Sequence, residues 1–196
     1  NIYIGKVQNV IPGMQAAFID IGNKKNTFIH LKDAIPKIDE TKYNYEEKVK
    51  DKNISDFLKS GMRIPVQVKR DACNQKGARV STHISIPTRF SVVMPNVDFI
   101  TISKKIEEEN EKNRLKKLAE EILPENYGAI IRTAASNVQK SELERDFNVA
   151  VKKWNDISKK IEKNKNCQKP VLLYENPDLI YKFLVDVANE QISKNI

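Results

Sequence analysis

The sequence has little of what staples or anchors a chain. Its 196 residues contain two cysteines, Cys73 and Cys167, with no C-x-x-C spacing and no histidine near either one. Neither a disulfide framework nor a zinc site is indicated, and ordinary reduced thiols are expected. Long apolar runs are missing too. Segments such as VLLY, or IIRTAA with its internal Arg132 and Thr133, are far shorter than the roughly 20 residues a helix needs to cross a bilayer. No leader pattern of basic then apolar residues opens the chain, so a cytoplasmic protein without a membrane span is the expectation. His30 and His83 have no evident nucleophile or base partner and are expected on strands rather than in catalysis.

What is present is ordinary globular material with a basic excess. Hydrophobic residues make up 40% of the chain and charged ones 31%, a balance that can bury a core. Lys and Arg number 34 against 26 Asp and Glu, a net charge of +8, which favours a polyanionic partner. The excess is uneven. Residues 1–83 carry 15 basic and 9 acidic side chains, while 84–196 carry 19 and 17, so the attraction lies mainly in the first half.

The first 85 or so residues hold short, partly alternating segments: IYIGKVQNVI, MQAAFIDIG, NTFIHL, RIPVQVKR and ARVSTHIS. Five strands of this length suggest a small barrel. Five of the six glycines fall in the same stretch, where tight turns and barrel bends need them, and Pro12-Gly13 predicts a hairpin between the first two strands. The polar segment KIDETKYNYEEKVKDKNI is longer than a usual connection. Beyond residue 100 the pattern turns helical. SKKIEEENEKNRLKKLAEEIL predicts a helix ended by Pro124, and GAIIRTAA a buried strand followed by a turn. Leu143, Phe147, Ala150, Trp154, Ile157 and Ile161 recur at spacings of three and four, a clear amphipathic helix with Trp154 in the core. Ser136 with Gln139, or Ser141 with Glu144, offers its capping box. KPVLLYE predicts another strand, and Asn176-Pro177 opens a third helix carrying Ile180, Phe183, Leu184 and Val187.

On a basic barrel, exposed aromatics are tools for stacking RNA bases while Lys and Arg hold phosphates. Phe18 and Phe28 are the candidates. Alternation puts Ala17, Ile19 and Ile21 on one face of the second strand and Ala16, Phe18 and Asp20 on the other. The presence of Asp20 favours the second face as the open one, but the residues alone leave a core position for both phenylalanines equally open. Arg70 and Lys76 stand near the last hairpin as candidate phosphate contacts. Taken by itself, Arg132 is most simply an ion-pair partner for one of its many acidic neighbours.

The motif series resembles one family in order and across nearly the whole chain. NIYIGKVQNVIPGMQAAFIDIGNKKNTFIHLKD, GMRIPVQVKRD, NQKGARVSTHISIP, RFSVVMP, ISKKIE, GAIIRTAA and LLYENPDLI resemble the S1-type domain and the start of the 5′-sensor region of the ribonuclease E/G family. The resemblance implies an α+β chain. Residues 1–84 would form a five-stranded S1-type OB barrel, 85–169 a mixed α/β 5′-sensor region, and 170–196 part of a ribonuclease H-like subdomain. By the same resemblance Phe18 and Phe28 match RNA-stacking aromatics, and Arg70 and Lys76 match basic positions of that surface. Arg132 and Thr133 match the pair that grips a 5′-monophosphate, and Val92 matches a residue lining that pocket. Lys104 and Lys105 stand for a pair of arginines, keeping the charge but losing the bidentate fork. Thr88 replaces a glycine beside the pocket.

The resemblance implies a parent enzyme that processes and degrades single-stranded RNA, in ribosomal RNA maturation and mRNA decay, and that forms homo-oligomers. Its cutting residues, a pair of aspartates holding Mg²⁺, and its cysteine zinc link would lie downstream. No catalytic residue, metal ligand or cofactor is therefore expected within these residues, and the segment by itself should not cleave. A stand-alone S1-type module of translation and a protein-interaction adaptor are the competing expectations.

Overall fold

A computed structural model describes residues 1–35, 51–73 and 77–176. Five strands, β1 (Ile2–Ile11), β2 (Ala16–Asp20), β3 (Thr27–His30), β4 (Arg63–Arg70) and β5 (Arg79–Ser81), close into a barrel in the order β1-β2-β3-β5-β4 and back to β1. All neighbours are antiparallel except β3 and β5, which run parallel. Inward positions Val7, Ala17, Ile19, Ile29, Val66 and Val80 are fully buried, the outcome of period-two alternation on a closed sheet. The buried hydroxyl of Thr27 donates to the Ile19 carbonyl at 2.8 Å, so the core keeps no orphaned polar group there.

The turns depart from expectation in detail. Pro12–Met14 forms one turn of 3₁₀ helix, and the left-handed residue that redirects the chain is Gln15, at φ 48°, not Gly13. Gly77 is required for another reason. A Cβ on it would collide with the carbonyl oxygen of Asn26, so the β2–β3 and β4–β5 loops approach each other only with glycine there. Helix α1 (Leu31–Ala34) follows β3, and helix α2 (Ile54–Phe57) closes the long polar connection. A capping box of Asn53 and Asp56 starts α2, and Ile54 buries into the barrel core. Most of that connection, residues 36–50, lies outside the described residues. So do Lys76 and the helix expected after Pro177, with Ile180, Phe183, Leu184 and Val187.

The second region is a four-stranded sheet of β6 (Ile86–Pro87), β7 (Ser91–Pro95), β8 (Ile100–Ile102) and β9 (Tyr127–Ile131), in the order β6-β7-β9-β8. Strands β8 and β9 are parallel and are joined through helix α3 (Glu109–Ile122). Helix α4 (Lys140–Lys163) packs on β6 and β7. Its predicted apolar stripe, Leu143 through Ile161 and including the half-buried Trp154, lines the core. Helix α3 starts later than its sequence suggests because Ser103–Ile106 forms a separate turn that buries Ile106. Helix α4 starts at neither expected box. Asn137 at φ 60° prevents helix before it, and Gln139 with Glu142 forms the capping box instead.

Strand β10 (Val171–Tyr174) pairs antiparallel with the start of β1. Ile2 and Ile4 of β1 and Leu173 of β10 join the second core, while Val7 belongs to the barrel core. One strand thus serves both. The architecture is the α+β one expected, and among the described residues no helix is long and apolar enough to cross a membrane.

Candidate nucleic-acid interface

Strand register aligns the barrel's candidates. Phe18 is the partner of Phe28 across β2 and β3, Phe28 of Arg79 on β5, and Arg79 of Arg70 on β4; on the other side Phe18 partners Asn9 of β1. Residues paired in register project to the same side of a sheet. Asn9, Phe18, Phe28, Arg79 and Arg70 therefore form one row over the outside of the barrel, about 20 Å long at the usual strand spacing. Their chain neighbours Ala17, Ile19, Ile29 and Val80 seal the inside. The two rings meet edge to face, with centroids 6.1 Å apart and planes at 68°. Both phenylalanines are half-buried and Arg70 is exposed. Each ring thus fixes the other while part of its surface stays open, as a stacking platform requires.

Charges around the row are arranged by neighbours. Arg79 donates from Nε and Nη2 to Asp33 Oδ2 at 2.9 and 2.5 Å, which holds the guanidinium beside Phe28. The Asp20 carboxylate accepts from Gln8 Nε2 and from the Gly22 amide. His30 ends β3 and caps α1. Burial, then Lys32 and Arg79, push its pKa below the usual imidazole value, with Asp33 opposing, which favours the neutral ring. His83, expected on a strand, instead lies just past β5 with Nε2 against the Ile35 carbonyl.

A second cluster sits at the carboxyl ends of parallel β8 and β9, the end of such strands where ligand sites concentrate. Arg132 directly follows β9. Its amide donates to the Phe90 carbonyl at 2.8 Å, and its Nη1 donates to the carbonyls of Thr88 at 2.9 Å and Arg89 at 3.3 Å. Among the described residues it forms no ion pair, so the simple expectation of an acidic partner is replaced by backbone carbonyls. Its Nε and Nη2 have no partner among these residues. Exposed Thr133 opens the next 3₁₀ turn. Val92 is half-buried and pairs with Ile130, one position inside this edge. The Ser103 amide donates to the Ile131 carbonyl at 2.9 Å, which sets exposed Lys104 and Lys105 on the adjoining turn. Arg89, also exposed, lies over the Phe90 ring at 5.1 Å.

Two buried carboxylates organise this edge. Asp146 of α4 accepts from the amides of Arg89 and Phe90 and from the hydroxyls of Thr88 and Ser91. Glu111 of α3 takes a bidentate pair from Arg114 at 2.7 Å for each bond, and the Asn137 amide at 2.8 Å, while Arg114 also reaches the Val138 carbonyl. The Arg114 guanidinium, helped by the Asn137 amide, holds the Glu111 carboxyl below its usual range despite burial.

Residues 85–196 match the model of the ribonuclease E/G family. The chain belongs to the ribonuclease E/G family. It is 37% identical over 194 residues to ribonuclease G of Escherichia coli (strain K12), covering 99% of this chain and 39% of that protein. It is 36% identical over the same span to ribonuclease G of Haemophilus influenzae, and 31% identical over 195 residues to ribonuclease E of a Nostoc species, covering 27% of the latter. The chain thus spans about two-fifths of its ribonuclease G relatives and about a quarter of ribonuclease E.

In this member of the ribonuclease E/G family the structure brings Phe18, Phe28 and Arg70 into one row, and Arg132, Thr133, Lys104 and Lys105 to one sheet edge. Lys76 lies outside the described residues. Four contributors escaped the sequence reading. Arg79 carried a weak signal, since in ARVS it alternates with the core residue Val80. Arg89, Asp146 and Glu111 carried none, because their partners are distant in sequence or are backbone groups. Among the described residues no cluster of three or more His, Cys, Asp or Glu is placed to share a metal ion.

Proposed function

We propose that this chain is the substrate-capturing part of an endoribonuclease that processes and degrades single-stranded RNA. Unpaired bases stack on Phe18 and Phe28 while Arg70 and Arg79 take the backbone, and Lys76, outside the described residues, is assigned to the same RNA surface by the family resemblance. At the second sheet, Arg132 and Thr133 engage a 5′-monophosphate, Val92 lines the pocket, and Lys104 and Lys105 add positive charge. A terminal monophosphate carries more charge than an internal diester, and the free Nε–Nη2 edge of Arg132 is the fork that grips two phosphate oxygens at once. Thr88, with its hydroxyl committed to Asp146, leaves the guanidinium as the principal donor.

The observation that carries this reading is the register row across the barrel: two half-exposed aromatics continued by two arginines, in a chain of ribonuclease E/G ancestry. Cleavage would depend on Mg²⁺ held by carboxylates elsewhere in an oligomeric parent, to which the captured strand would be delivered. The test is binding of a short unstructured RNA to the chain. Phe18→Ala with Phe28→Ala should weaken it by tenfold or more, at about 1–3 kcal/mol per stacked base, with circular dichroism unchanged. Undiminished affinity in the folded double variant would remove the capture role.

A further inference from the structure

We infer that Asp146 is the positioning residue for 5′-end recognition, setting the Arg132 guanidinium through two peptide groups of the β6–β7 turn. This rests on the 5′-phosphate reading of Arg132 above and names the device that makes that arginine competent.

Asp146 is unlike its surroundings. It is 9% exposed on α4, beside Leu143, Phe147 and Ala150, which are all buried, and it forms no ion pair among the described residues. A carboxylate buried without a cation is costly, and helix–sheet packing alone would be served by an apolar residue. What the carboxylate does is accept four hydrogen bonds from four consecutive residues. Oδ1 takes the amides of Arg89 (3.0 Å) and Phe90 (3.3 Å), and Oδ2 the hydroxyls of Ser91 (2.8 Å) and Thr88 (2.5 Å).

The same two peptide groups face Arg132 from their other side. The Arg89 amide shares a peptide plane with the Thr88 carbonyl, and the Phe90 amide with the Arg89 carbonyl. Those two carbonyls are the acceptors of Arg132 Nη1. In a planar trans peptide the N–H and C=O directions are opposed, so fixing one fixes the other. Asp146 and Arg132 therefore face each other across a pair of peptide groups, each polarised from both ends, an arrangement in which hydrogen bonds reinforce one another. The consequence for Arg132 is orientational. With Nη1 held by the turn, its Nε–Nη2 edge stays available for a phosphate, and among the described residues no acidic side chain competes for it.

The test uses the full chain and one short RNA carrying either a 5′-monophosphate or a 5′-hydroxyl, with affinities from fluorescence anisotropy and the Arg132 side chain followed by ¹⁵N guanidinium NMR. Asp146→Ala should bring the monophosphate-to-hydroxyl affinity ratio to within about twofold of that of Arg132→Ala, with hydroxyl-RNA affinity nearly unchanged. The double variant should lose nothing further, as expected for coupled residues. Asp146→Asn, with one accepting oxygen and no charge, should give an intermediate ratio and a weakened slow-exchanging guanidinium signal. A folded Asp146→Ala that keeps the wild-type ratio, or that weakens both RNAs equally, overturns the inference. If the alanine variant does not fold, a wild-type ratio in Asp146→Asn overturns it instead. If wild type itself does not distinguish the two RNAs, the 5′-phosphate reading falls. The guanidinium signal then decides Asp146 alone: weakening in Asp146→Asn supports positioning, and an unchanged signal refutes it.

Discussion

Phe28 stands between an aromatic on one neighbouring strand and an arginine on the other, so its removal should cost binding more than stability. Phe28→Ala should weaken single-stranded RNA binding by about tenfold through the lost stacking surface, while the lost edge-to-face contact with Phe18 costs about 0.5–1.5 kcal/mol in urea unfolding. Arg70→Ala should act differently. In the proposed role Arg70 holds the RNA backbone, so its loss should shrink the slope of log affinity against log salt by about 0.7 with little change in base preference. The sequence showed Phe18 sharing a side with Asp20 but left its exposure open, because a two-residue period has the same form whichever face is inside. The register of the five barrel strands decided it. Asp146 lay beyond any local reading, since its partners are backbone amides and hydroxyls more than 50 residues away and an acid on a charged helix carries no distinguishing mark.

Among the elements, the clamp between α3 and the loop entering α4 depends on Glu111. Its carboxyl titrates below the usual range, so the folded state holds it ionised where the unfolded chain would begin to bind a proton. That contribution is complete above the ordinary glutamate value and is lost as the pH falls through the depressed folded one. Glu111→Gln should therefore destabilise the chain by about 1–3 kcal/mol at pH 7, and urea titrations should show the difference from wild type narrowing below about pH 4. Helix α4 offers a simpler contrast. Phe147→Ala, at 1% exposure, should cost about 3–5 kcal/mol, whereas Val149→Ser, at 57% exposure, should stay within about 0.5 kcal/mol. The body of α4 was legible because six apolar residues repeat at helical spacing. Its start was not, because the left-handed Asn137 and the Glu111 clamp act from outside the helix, and the same holds for α3, where a turn tucks Ile106 into the core ahead of the helix.

At the scale of the molecule, β1 joins the parts. Ile2 and Ile4 pack with α4 and β10 while Val7 packs in the barrel, so the stacking row and the Arg132 edge belong to units that share a strand rather than to beads on a linker. The motif series made the order of the parts readable, but nothing in it showed that one strand would serve both cores, because that depends on β10 pairing with β1 from the far end of the described chain. Capture and 5′-end recognition are accordingly predicted to act on one RNA together. The measurement that tests this most directly is an NMR titration of the isotope-labelled chain with a 5′-monophosphorylated single-stranded RNA and with its 5′-hydroxyl counterpart. The account predicts shifts at Phe18, Phe28 and Arg79 with both RNAs, and at Arg132 and Thr133 with the monophosphorylated one alone. Shifts that leave the row untouched, or that fall equally on Arg132 with either 5′ end, would contradict it.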